Sequence, residues 1–232
     1  GRPARSKGYT ARSTGATMTT NHGKRAALAA ALVCVLGWAA GALAQAAGEE
    51  RRSFDASRLE LKNLIGEVQV SGHDGAGFEV VVRPGGKDAR EGALEIVVAE
   101  NASRAEMTIR FPEAQRFVYP ALGAGSTARF DPDDSDDRSW LEELVHGLFG
   151  KRITVTGSGS GLELWADVEI RVPRNGELVV HHGVGNVIAG GVTAELELET
   201  RTGGIEASKV EGALNAERSE ERRVGKECRS RW

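Results

Sequence analysis

Five aspartates within seven positions, Asp131, Asp133, Asp134, Asp136 and Asp137, form the densest set of potential metal ligands in the sequence. Hard divalent cations such as calcium take carboxylate oxygens, and an EF-hand loop needs a turn-forming glycine at its sixth position and a glutamate at its twelfth. Counted from Asp131, these positions hold Asp136 and Glu142, so the glutamate is present and the glycine is missing. Half a motif points to a solvated acidic loop ahead of a helix, and no metal ligand is assigned. The segment that follows, "SWLEELVHGLFG", spaces Trp140, Leu141, Leu144, Val145 and Leu148 helically behind a Ser139/Glu142 capping box. A short amphipathic helix is therefore expected inside an insertion spanning 130–150.

Other groups with chemical potential are weaker. His181 and His182 are adjacent in an expected strand, where successive side chains point to opposite faces, so they cannot readily share one metal. His73 falls in a turn and His146 on the expected helix, neither with a cysteine or carboxylate at ligand spacing. "TGSGSG", Thr156 to Gly161, lacks the lysine of a phosphate loop and leads into a strand, so it reads as a flexible turn. Glu195, Glu197 and Glu199 share one face of a strand, and paired carboxylates could serve a polysaccharide hydrolase or lyase. Their regular alternation instead resembles solubilising surface charge, and an aromatic content of 5% is low for sugar-stacking platforms. No catalytic residue and no cofactor-binding residue is assigned, and the expectation is a protein that is not an enzyme.

The elements that would position these residues lie in a chain of uneven charge. Residues 1–46 carry six basic residues and no acidic one, and residues 218–232 carry six basic and three acidic. The body between them, 47–217, holds 18 basic and 30 acidic residues, a net charge of −12. Such a surface repels phosphate backbones, which proteins bind by Lys/Arg neutralisation, so nucleic acid is excluded as a partner. The two cysteines, Cys34 and Cys228, fall outside the body, which leaves no disulfide framework within it.

From Met18 the chain has a basic start at Lys24 and Arg25, an apolar run from Ala26 to about Ala40, and small residues at Ala42, Ala44 and Ala46. This is the pattern of a secretory signal peptide over 18–46. It implies export to the periplasm, the cell envelope or the medium. Residues 1–17 have no apolar pattern and are expected to be upstream sequence outside the protein proper.

Beyond Glu50, short apolar alternations are cut by glycine: "RLELKNLIGEVQVSG", "FEVVVRPGG", "ALEIVVAE", "AEMTIRFPE" and "RITVTGSGSGLELWADVEIRVPRNGELVV". Period-two alternation bounded by Gly, Pro, Asn and Asp is the strand signal. "GNVIAGGVTAELEL" from Gly185 lies over "GGIEASKVEGALNA" from Gly203 at an offset of 18, placing Val187 over Ile205, Ala189 over Ala207, Val192 over Val210 and Leu196 over Leu214. "GEVQVSG" from Gly66 shares the same beginning. A unit this short buries its apolar face only by stacking on a neighbour. The expected fold is all-β: a single-stranded parallel β-helix or β-solenoid with repeats of about 18 residues and a short helical insertion, with a β-sandwich as the alternative. Glu195, Glu197, Glu199, Glu206 and Glu211 should face outward, and Gly183, Gly185, Gly190, Gly203 and Gly212 should serve the corners.

"LKNLIGEVQVSGHDG" and the stretch from "VEIRVPRNGELVV" to "VEGALNAE" resemble secreted bacterial β-strand-repeat proteins grouped as candidate adhesins of unknown function. There a V-x-V-P turn leads into successive G-x-V-x-V/A units, matched here at Ile170–Pro173, Gly185–Ala189 and Gly203–Ala207. The resemblance covers most of 57–217, departs from the family at the acidic insertion, and implies a surface or interaction protein. Its partner would be a cell-surface glycan or an envelope protein, with edge-to-edge self-association as a further route. Residues 218–232, "RSEERRVGKECRSRW", break the repeat in mid-pattern and can be encoded by a sequencing adapter read in one frame. They are expected to be foreign to the protein, whose own sequence would continue beyond Glu217.

Overall fold

The computed structural model describes residues 48–131, 143–144 and 152–218, all within the compact unit Ala46–Trp232. The expected signal peptide with Cys34, the residues before it, the aspartates at 133, 134, 136 and 137, His146, most of the insertion, and residues 219–232 with Cys228 lie outside the described residues. Among the described residues fifteen strands follow one another: β1 (Glu50–Phe54), β2 (Arg58–Ile65), β3 (Val68–His73), β4 (Phe78–Gly85), β5 (Glu95–Glu100), β6 (Arg104–Arg110), β7 (Arg116–Val118), β8 (Thr127–Phe130), β9 (Ile153–Thr156), β10 (Trp165–Pro173), β11 (Glu177–Val184), β12 (Val187–Thr193), β13 (Glu195–Thr202), β14 (Ile205–Glu211) and β15 (Leu214–Arg218). The chain is all-β.

Two six-stranded sheets carry most of it, ordered β1-β4-β10-β3-β12-β14 and β15-β13-β11-β2-β6-β5, and a third, β7-β9-β8, is smaller. From β10 onward successive strands alternate between the two large sheets. The repeat period appears directly in the pairing, because β12 and β14 run parallel with Val187 beside Ile205 and Ala189 beside Ala207. Likewise β13 pairs β15 with Leu196 beside Leu214. The earlier unit is part of the same stack, since β2 and β3 run parallel to β11 and β12, with Leu59 beside Leu178 and Val68 beside Val187. The expected register therefore holds across three rungs: β2–β3, β11–β12 and β13–β14.

The sheets are mixed, unlike those of a single-stranded parallel β-helix. β4 is antiparallel to both β1 and β10, and β5 is antiparallel to β6. The residues facing inward from both sheets, including Leu59, Leu61, Val68, Val168, Ile170, Leu178, Val187, Leu196 and Leu198, belong to one buried cluster. Phe117, Phe130, Ile153 and Val155 of the small sheet join it, with Phe111 set edge-on to Phe117 at a centroid distance of 5.8 Å. Leu144, one of the expected helix positions, is fully buried in the same cluster.

Rungs turn at glycine. Gly66, Gly185 and Gly203 have φ of +142°, +131° and +149°, a region only glycine enters readily. Gly183 and Gly190, expected at corners, instead lie inside β11 and β12 without positive φ. At Gly183 the reason is close approach: a side-chain carbon there would press on the Leu64 carbonyl oxygen at 2.5 Å. Period-two patterning cannot distinguish a glycine that turns the chain from one that makes room for a neighbour.

Candidate functional site

The outward face of the sheet containing β2 and β11 gathers the densest set of interacting charges among the described residues. Alternation along β2 directs Leu59 and Leu61 into the core and Glu60 and Lys62 to the opposite face, yet both charged residues are only 8% exposed. Lys62 Nζ lies 2.7 Å from Glu106 Oε1 on β6, 2.6 Å from Glu143 Oε2 and 3.6 Å from Glu60 Oε1. Glu60 also receives Arg104 from β6. On the other side of β2, His181 of β11 has Nδ1 2.8 Å from Glu199 Oε2 on β13 and Nε2 3.8 Å from Glu60 Oε1. Strand pairing creates this row, because His181 sits beside both Lys62 and Glu199 in register. The result is an alternating chain of charge across β13, β11, β2 and β6.

Its electrostatics follow from burial and partners. Burial pushes the Lys62 ammonium downward, but hydrogen bonds to Glu106 and Glu143 outweigh that, and the net shift is upward. The hydrogen bond to Glu199 raises His181 against opposing burial, and the same bond lowers Glu199. Because the folded value of His181 is raised, its contribution to stability is fully present below the ordinary value of 6.5 and is lost as pH rises through the raised one. His181→Gln is expected to remove that decline above pH 6.5, an effect below about 1 kcal/mol for a partly exposed pair. Urea midpoints measured at pH 6 and pH 8 on both proteins check it.

Glu143 also ties the insertion to this face. Its carbonyl accepts Arg110 Nε at 3.1 Å, and the next carbonyl, of Leu144, accepts the Phe111 N–H at 2.7 Å. Of the five aspartates, Asp131 is described and pairs with Arg152, Nε to Oδ2 at 3.0 Å. Among the described residues, no three His, Cys, Asp or Glu side chains come together in a way that could hold a metal ion.

The remaining sequence candidates separate. His181 and His182 do face opposite sides, His181 outward and His182 buried at 1% exposure. His73 closes the β3–β4 turn, its Nε2 2.8 Å from the Gly77 carbonyl and its Nδ1 accepting the Gly75 N–H at 3.3 Å. Glu195, Glu197 and Glu206 are exposed, Glu199 is drawn to His181, and Thr156–Gly161 runs from the end of β9 into a bend. An aromatic and a carboxylate do meet, at Trp165 and Asp167, a pairing not visible from composition. Trp165 lies over its cross-strand partner Gly85, its Nε1 donates to Asp167 Oδ2 at 3.2 Å, and Tyr119 meets its ring at 5.6 Å. Asp167 Oδ1 accepts the Glu67 N–H at 2.9 Å. Asp167 Oδ1 thus holds the Gly66 turn against β10, while Oδ2 fixes the Trp165 ring on the same strand.

Two clefts are small. One of about 160 Å³ lies at the ends of β3, β10 and β12, lined by His73, Asp74 and Arg174 among others, with Arg174 Nε 2.7 Å from Asp74 Oδ1. Another of about 220 Å³ lies beside Val82, Pro84, Leu94 and Ile96. Pockets for small organic ligands typically measure roughly 300–1,000 Å³, so neither cleft encloses one. The surface the fold offers in quantity is sheet face and strand edge. At one end of the stack, β14 and β15 are each the outermost strand of their sheet and mostly exposed, with Leu214 at 43%.

No protein-family model matches the chain, and no curated protein matches it. Among solved structures, a Clostridium sporogenes protein provisionally named a cell adhesion protein is similar, with a TM-score of 0.39 and 13% sequence identity. The match covers 72% of this chain and 64% of that one, so the chain spans less than two thirds of that protein's length. At this level the likeness transfers neither fold nor function.

Proposed function

We propose that the protein is an exported, adhesin-like interaction protein without bond-making chemistry, whose rungs form a short β-solenoid and whose faces and edges recognise a partner at the cell envelope. The observation that carries this reading is the three-rung parallel stack, β2–β3, β11–β12 and β13–β14, whose sheets present broad outward faces. An edge strand presents unpaired N–H and C=O groups that can add a strand from another chain, while the alternating outward side chains select which one. The apolar run behind Lys24 and Arg25 supports export, and the G-x-V-x-V/A units support the adhesin-like class.

Binding of the full chain to immobilised cell-wall polysaccharide and to envelope protein fractions tests the reading. Saturable binding without release of soluble products is expected. Turnover of any polysaccharide, abolished by replacing a specific carboxylate, would overturn it in favour of a β-helix enzyme. A self-assembling envelope scaffold is the second reading, in which sheet edges of two copies would pair strand to strand. Sedimentation across a hundredfold concentration range separates the two, because a stable monomer eliminates the scaffold.

A further inference from the structure

We propose that β11 contains an acid-labile joint: the neutral imidazole of His182 locks the β11–β12 rung onto β2–β3, and protonation of that ring releases it. This goes beyond the interaction reading and does not depend on what the protein binds.

The joint is one step of a buried polar ladder. Asn63, His182 and Thr200 each stand three residues before a turn glycine, Gly66, Gly185 and Gly203, and are paired side by side on β2, β11 and β13. All three are buried, at 0%, 1% and 0% exposure. Each reaches the backbone of a neighbouring strand or turn. Asn63 Nδ2 donates to the Ala166 carbonyl at 3.0 Å, His182 Nε2 lies 3.0 Å from the Gly66 carbonyl, and Thr200 Oγ1 donates to the Gly185 carbonyl at 3.3 Å. These bonds join successive rungs through the core.

Only the middle step can titrate. A carbonyl oxygen accepts, so Nε2 must carry the proton, and the second ring nitrogen, Nδ1, is buried without a hydrogen-bond partner among the described residues. A second proton would charge the ring where its neighbours are neutral: Asn63 from β2, Thr200 from β13, and the carbonyls of Gly66, Asn63 and Val184. No carboxylate acts on it among the described residues, and Arg218 of β15 stands beyond Thr200 in the same row. His181, next in sequence, differs because it faces outward toward Glu199, Glu60 and Lys62. Burial pushes His182 down to about 4, with the carbonyls offsetting only part of the effect.

The unfolded ring binds its proton more readily than the folded one. The contribution of His182 is therefore fully present above the ordinary value of 6.5 and is lost as pH falls toward about 4. The expected change in the opening equilibrium is on the order of 100-fold between pH 7 and pH 4.

Amide hydrogen exchange on the full chain, corrected for intrinsic rates, tests this with the residues the ladder itself uses, His182→Asn and His182→Thr. In the unaltered protein, acid should open β2 and β11 by the stated factor, and in both variants that acid-dependent increment should be missing. Variants that open in acid as steeply as the unaltered protein would overturn the joint and assign acid lability to carboxylates. Should neither variant fold, the proton NMR titration of the His182 ring in the unaltered chain decides. A ring that stays neutral until the strands open supports the joint, and one that titrates near pH 6.5 in the intact fold overturns it.

Discussion

Gly185→Ala is expected to abolish cooperative folding, a larger effect than any side-chain truncation in the core. The turn at Gly185 rests directly on the turn below, and a methyl group built there falls onto the Gly66 carbonyl oxygen. Gly203 rests on the Gly185 carbonyl in the same way, and Gly66 on that of Ala166. The obstacle is backbone on backbone, so no rotamer change relieves it, and the φ of +131° adds strain for any residue with a Cβ. The turn is also fixed from both sides, Gly185 N–H donating to Thr202 O at 2.9 Å and Gly66 N–H to Val184 O at 3.0 Å. Separating the rungs to admit a methyl group would break these bonds together. A destabilisation above about 4 kcal/mol is expected, against a total of about 5–15 kcal/mol for a typical domain. Loss of the urea transition in Gly185→Ala, with Gly48→Ala unchanged, is the predicted result. Gly48 is the appropriate control because a Cβ there meets nothing within 4 Å.

Lys62→Met should destabilise the protein by about 1–2 kcal/mol, because it removes a buried cation from carboxylates that are themselves partly exposed and so partly resolvated. Methionine keeps the apolar stem, so the loss reports charge rather than packing. Glu106 and Glu143 would lose the ammonium at 2.7 and 2.6 Å, and Glu60 would retain Arg104. The deficit should shrink in acid as the stranded carboxylates take up protons. Glu197→Gln, on the exposed part of the same face, should change stability by no more than about 0.5 kcal/mol. Urea midpoints at pH 7 and pH 4.5 for the two variants check both statements. If Lys62→Met matches Glu197→Gln, the network is ordinary surface charge and does not hold the insertion in place.

Part of this architecture was legible in the residues. Alternation assigned faces correctly: Leu196 and Leu198 inward, Glu195 and Glu197 outward, His181 and His182 to opposite sides. The offset of 18 assigned partners, because residues at equivalent places in a repeat become neighbours when repeats stack. The charge network was not legible. Lys62, Glu106, Glu143 and His181 are scattered along the chain, and each alone reads as an ordinary polar residue of a strand or helix. Their meeting depends on β2 lying between β11 and β6, a pairing between segments that share no repeat spacing. The same holds for Trp165 over Gly85 and Asp167 beneath the Gly66 turn, where the relevant signal is a partner far along the chain.

By itself, then, the sequence determined a mainly β chain with an acidic body, an 18-residue rung and the inner and outer faces of the repeat strands. These are local properties, set by the period-two geometry of the extended backbone and by self-similarity at fixed spacing. Tertiary structure alone decided that the β2–β3 unit joins the stack at a distance, that antiparallel β1, β4 and β5 make the sheets mixed, and which glycines turn the chain. It also decided that two adjacent histidines receive opposite treatment, His181 held by a carboxylate and His182 sealed among neutral groups. Alternation states which way a side chain points, and only the assembled sheets state what it meets there.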